Sequence, residues 1–188
     1  VTRFREEAEG LVTLNEFVAD ECIYSLPARE GGDEPIEGPS SRFAEVIAHA
    51  WGNCRAGARV IDDQGDFVTA QGAFHDLEKN VAISYEVKRR IVTKQGRRYS
   101  PDMVGVTANA ACSIALRNAV LKGVPKALWS SVYEAARKTL MGDYTSLAKR
   151  RAETLERFKK VGVSAERVFQ KLGIKGGDDL SIEHVFRL

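Results

Sequence analysis

The sequence predicts an α+β fold, a three- to four-stranded antiparallel β-meander packed on helices and followed by a small helical C-terminal module. Three observations carry this. Strand-like runs at 55–62, 67–74 and 81–91 follow one another with only turn-length breaks between them. In the third run Val81, Ile83, Tyr85, Val87 and Ile91 recur at period two, so one face of that strand is buried. Residues 103–122 then read as a helix rich in small side chains (Ala108, Ala110, Ala111, Ser113, Ala115, Ala119), a composition that permits close packing on a sheet.

Taken in order, residues 11–21 read as a helix with Leu14, Phe17 and Val18 on one side. Residues 22–26 are short, apolar and strand-like, ended by Pro27, and are a candidate fourth strand for the meander. Residues 28–38 are a polar Gly/Pro loop. Pro39-Ser40-Ser41 starts the next helix with a serine cap, and Phe43, Val46, Ile47, Ala50 and Trp51 fall at helical spacing before Gly52 and Asn53 end it. Asp63-Gln64-Gly65 is a hairpin turn between the first two strands of the meander. Gly123-Val124-Pro125 separates the small-residue helix from another amphipathic one at 126–140. Past Gly142 the chain turns to short charged helices with few apolar residues. The expected division is therefore a core at 1–142 and a helical module at 143–188 that reads as truncated.

With 44% hydrophobic and 29% charged residues, the composition is that of a globular protein. No apolar run near 18 residues stands out, so no membrane span is expected, and the first residues lack a signal peptide's apolar core. Cys22, Cys54 and Cys112 are odd in number and widely spaced, which points to a reducing cytoplasm rather than a disulfide framework. His49, His75 and His184 have no metal-ligand spacing with them, and no phosphate-binding loop is present, so no cofactor or metal is expected.

The net charge of +2 is small, but its distribution is uneven. Residues 1–37 hold ten acids and three bases, whereas residues 79–98 hold seven Lys or Arg against the single acid Glu86. The third strand of the meander is thus apolar on one face and carries Ser84, Glu86, Lys88 and Arg90 on the other. Lys94, Arg97 and Arg98 follow it, and Arg55 and Arg59 lie on the first strand. Such a surface fits a polyanion, nucleic acid first. The bland reading is a solvated edge blunted by Lys and Arg. No aromatic pair interleaves the patch, and Tyr99 is its one aromatic candidate. Glu86-Val87-Lys88 is also an E-x-K of the kind metal-dependent restriction-like nucleases place on a strand, with Asp62, Asp63, Asp66 and Asp76 upstream. That α/β context is missing here, so the chain does not read as an enzyme. An interaction protein without DNA affinity is the third possibility.

The segments IEGPSSRFAEVIAHAWGN and SIALRNAVLKGVPKALW flank the meander. With the order helix, strand, loop, helix, meander, long helix, they resemble phage single-strand DNA annealing proteins (recombinases) of the RecT/Redβ/Erf/Rad52-like superfamily over residues 22–129. The resemblance implies ATP-independent binding of single-stranded DNA and annealing of complementary strands in homologous recombination. It also implies assembly into a homo-oligomeric ring or filament in the cytoplasm of a bacterial host. Its implied partners are single-stranded DNA, the annealed duplex, and a phage exonuclease or host single-strand binding protein. Carried onto this chain, the DNA-contacting residues are Arg55, Arg59, Lys88, Arg90, Arg97, Arg98, Arg117, Asn118 and Lys122. Arg117 and Asn118 enter as a polar pair interrupting a small-apolar helix, and an internal bridge or cap is the alternative role for them.

Overall fold

In the computed structural model, which describes residues 2–26, 36–141, 144–180 and 184–185, the three meander strands form one antiparallel sheet. They are β3 (Cys54–Asp62), β4 (Phe67–Asp76) and β5 (Val81–Arg90), in the order β3-β4-β5. The strand numbers follow two earlier short strands, β1 (Ile23–Leu26) and β2 (Ile36–Pro39). Those two pair with each other as a separate antiparallel ladder, so the segment at 22–26 does not extend the meander. Part of the expected polar loop, at 36–38, is thereby strand, and residues 27–35 lie outside the described residues.

Parity along β4 decides what the sheet buries. Val68, Ala70, Gly72, Phe74 and Asp76 are all buried, and α4 (Pro101–Gly123) lies against that face. Ser100 caps α4 by accepting from the Met103 N–H, and Pro101 occupies its first turn, where no internal amide bond is lost. Ala111, Ala115 and Ala119 recur every four residues at zero exposure. Opposite them, a Cβ on Gly72 would collide with the backbone carbonyl of Ala115. Helix and strand therefore meet backbone to backbone, which only small residues on both elements allow.

Among the described residues α4 is the one helix long and apolar enough to cross a membrane, a run the sequence reading passed over. Ala111, Ala115 and Ala119 are stacked on the sheet, Asp102, Arg117 and Lys122 interrupt the helix, and 22% of its apolar window is buried, with Met103 and Val106 exposed. That is the composition of a helix built for close packing on a sheet.

The rest of the core lies among the helices. α3 (Ser41–Trp51) starts at Ser40, whose hydroxyl accepts from the Phe43 N–H. It buries Phe43, Ala44, Ile47 and Ala50 beside Val120, Val124, Trp129 and Val132. The Phe43 ring meets Trp129 and Tyr133 edge-on, at 6.0 and 5.5 Å between centroids. The indole N–H of Trp129 donates to the carbonyls of Val124 and Leu121. Trp129 and Tyr133 belong to α5 (Lys126–Met141).

The N-terminal expectation needs correction. The chain forms α1 (Thr2–Val12) and a short α2 (Glu16–Glu21), broken where the Asn15 side chain caps α2. Phe4, Ala8 and Val12 enter the core, whereas Leu14 and Phe17 are each 71% exposed.

The chain divides into two compact units, 1–136 and 137–188, with the boundary inside α5 rather than after Gly142. The second unit contains α6 (Tyr144–Lys160) and α7 (Ala165–Leu172). Ser164 caps α7, and Gly173 ends it in the left-handed conformation that glycine tolerates best.

Candidate nucleic-acid interface

The register of the sheet assembles its second face. Along β4 the odd residues Phe67, Thr69, Gln71, Ala73 and His75 point away from α4. Arg55, Gly57, Arg59 and Asp62 are their partners on β3, and Arg90, Lys88, Glu86, Ser84 and Ala82 on β5. Side-chain rows therefore cross the strands: Arg55–His75–Ala82, then Gly57–Ala73–Ser84, then Arg59–Gln71–Glu86, then Asp62–Thr69–Lys88, with Phe67–Arg90 last. Asp62 joins its row past a register shift after Val60. Successive rows are about 7 Å apart.

Arg55, Gly57, Arg59, Ala73, Ala82, Ser84, Glu86, Lys88 and Arg90 are exposed, whereas Thr69 on the central strand is buried and Gln71 and His75 are half-buried between their row partners. Among the described residues, Arg55, Arg59, Lys88 and Arg90 form no salt bridge. Their nearest acids on the face are Glu86 and Asp62, so the cations outnumber the acids there by two to one. Four cations without a salt bridge on one sheet face, against two acids, give that face a positive excess.

Five further residues expected at the interface fall elsewhere. Arg97 is exposed in the turn after β5, where Thr93 N–H donates to the Arg97 carbonyl. Arg98 is committed to the fold, its guanidinium donating to the carbonyls of Asp63 (2.9 Å) and Gly65 (3.0 Å) and so pinning the β3–β4 turn. Arg117, Asn118 and Lys122 sit on α4, across the sheet from the four cations. Arg117 donates to the Asn118 side chain and lies 5.0 Å from the Tyr24 ring centroid, while the Lys122 ammonium lies 4.9 Å from that of Tyr85. A single groove holding all nine residues is therefore not what the fold builds. Tyr99 packs against the core under α4, with its N–H bonded to the Ile91 carbonyl.

The sequence reading missed Phe67. It is 41% exposed on the cationic face, and the Arg90 guanidinium carbon lies 5.7 Å from its ring centroid. Parity was the available signal, because Phe67 shares odd numbering with the polar residues of β4 while Val68, Ala70 and Phe74 are even.

The E-x-K pair lies on the same open face, and of the upstream acids Asp62 shares the Lys88 row while Asp76 does not. Asp76 is on the helix side, where its carboxylate receives the Lys79 ammonium (2.9 Å), the Trp51 indole N–H (3.2 Å) and the Glu78 and Lys79 amides. Among the described residues no three His, Cys, Asp or Glu side chains are arranged to hold a metal ion.

No protein-family model, no curated protein and no solved structure matches this chain. The open sheet face itself carries the functional argument.

Proposed function

We propose that this chain binds single-stranded DNA without nucleotide hydrolysis and anneals complementary strands, with the open face of the β3-β4-β5 sheet as its phosphate-binding surface. The observation that carries the reading is the row arrangement that puts the unpaired Arg55, Arg59, Lys88 and Arg90 on one exposed face. Long cationic side chains on a rigid sheet hold a flexible strand by its phosphates and leave the bases free to sample a complement. Base pairing then supplies the driving force, so no catalytic group is required. The reading also takes in ring or filament assembly, work beside an exonuclease or a host single-strand binding protein, and a bacterial cytoplasm as its setting.

Equilibrium binding of an oligodeoxynucleotide across a salt series tests it. Each of Arg55→Ala, Arg59→Ala and Lys88→Ala is expected to lower the log–log salt slope by about 0.7, because one fewer counterion is released. Complementary oligonucleotides mixed with the protein, without ATP, are expected to pair faster than they do alone. An unchanged slope in the triple variant, or pairing at the spontaneous rate, defeats the proposal.

A further inference from the structure

We infer that Phe67, with Arg90 across from it, is a stacking platform for one unpaired nucleobase. This rests on the reading of the sheet face as a single-strand surface and adds to it the position where a base, rather than a phosphate, is held.

Phe67 opens β4 on the uncovered face, outside both clusters of buried core residues. The row beside it is polar, and although Ile61 at the β3 register shift is also 43% exposed, Phe67, at 41% exposure, is the one Phe, Tyr or Trp in the rows of this charged face. Core packing does not account for a phenylalanine there, since Val68 and Ala70 already fill the helix side. Arg90 is its direct partner in register, its guanidinium 5.7 Å from the ring centroid and free of any salt bridge among the described residues. An aromatic ring beside an unpaired guanidinium gives a base two planar surfaces to stack on.

The backbone around the ring is held in place. The Ile91 N–H donates to the Asp66 carbonyl at 2.8 Å, and Arg98 clamps the carbonyls of Asp63 and Gly65. Little order is left to impose when a ligand stacks, which favours binding.

Charge assigns this end of the face to the base. Asp62, Asp63 and Asp66 cluster at the β3–β4 turn beside Phe67 and disfavour a phosphate there. Lys88 lies one row away, about 7 Å along the strand, and Arg59 about twice that. A nucleotide stacked on Phe67 therefore has its own or its neighbour's phosphate directed back toward the cations.

Fluorescence anisotropy of a labelled oligodeoxythymidine tests this with Phe67→Ala, Phe67→Leu, Phe67→Trp and Lys88→Ala. Phe67→Ala and Phe67→Leu are expected to weaken binding roughly 5- to 150-fold with the salt slope unchanged, because stacking is lost and no phosphate contact is. Phe67→Trp is expected to restore affinity, while Lys88→Ala flattens the slope. An oligonucleotide of the same length carrying abasic sites should bind wild type and Phe67→Leu equally.

Wild-type affinity in Phe67→Leu alongside a flattened slope in Lys88→Ala overturns the stacking site and leaves the phosphate surface standing. Absence of oligonucleotide binding by the wild-type chain overturns both. A Phe67→Leu loss that persists in full on the abasic probe also overturns the stacking site, since apolar bulk, not the base, would then be responsible.

Discussion

Asp76 joins three elements through one carboxylate. It sits at the end of β4, nearly inaccessible to solvent, and accepts from Trp51 of α3 and from Lys79 and Glu78 in the turn to β5. The Lys79 ammonium in turn lies 4.4 Å from the centroid of the Trp51 ring, which meets Phe4 of α1 edge-on at 5.3 Å. The hydrogen bond from the Lys79 side chain leads the causes that bring the Asp76 pKa from 3.8 down to about 2, against the opposing effect of burial. A carboxyl depressed in the folded state contributes stability that is complete above its unfolded value and is lost as pH falls through about 2. Asp76→Asn should therefore lower the urea midpoint at pH 7, with the gap to wild type closing between pH 4 and pH 2. A gap that stays constant down to pH 2 rules out this role. Cys22 follows the opposite logic, since burial, aided by the Glu21 charge, pushes its thiol up to about 11. It is expected to resist iodoacetamide in the folded protein at pH 7.5 and to react once urea unfolds the chain. Arg98 is a cation engaged by the fold itself. Arg98→Ala should cost about 1 kcal/mol of stability through its two lost carbonyl bonds, and leave the DNA salt slope untouched.

At the scale of elements, the contact of β4 with α4 is the tightest constraint. Gly72→Ala would drive a methyl group into the Ala115 carbonyl, and backbone on both sides cannot move aside as a side chain would. A loss of about 3 kcal/mol, the upper end for overpacking, is expected in chemical denaturation. Gly57 lies on the open face of β3 with nothing near its missing side chain, and Gly57→Ala should change stability little. A mild Gly72→Ala would mean that α4 can slide on the sheet. The helical spacing of Ala111, Ala115 and Ala119 and the strand alternation from Val81 to Val87 were legible because each element repeats its own period. The break between α1 and α2 was not, since Leu14 and Phe17 look like core residues until the Asn15 cap places them on the exposed side. The β1–β2 ladder was missed for another reason: its partner strand, Ile36–Pro39, is too short and too rich in Gly and Pro to announce itself.

For the whole molecule, the acidic N-terminal region and the cationic sheet face offer unlike surfaces, as head-to-tail assembly requires. Removing residues 1–21 is a poor test of that idea, because Phe4, Ala8, Val12 and Ala19 would leave the core with them. Charge reversal at exposed acids avoids the problem. Glu6→Lys with Asp20→Lys should shift light scattering toward smaller species at low salt, and the difference should shrink as salt screens the contact. Unchanged scattering in that variant rules out a salt-sensitive N-terminal interface.

Local physics was enough to determine the α+β class, the three meander strands, a serine cap at 40–41 and the cationic character of 79–98, because each depends on neighbours in the chain. Tertiary structure alone decided which cations act together. Antiparallel register set Arg55 and Arg59 beside Lys88 and Arg90, and it brought Phe67 onto their surface. The packing of α4 against the opposite face carried Arg117, Asn118 and Lys122 away from them. The physical reason is that a sheet has two faces, and which residues of separate strands share one is fixed by pairing register, which no single strand's sequence contains.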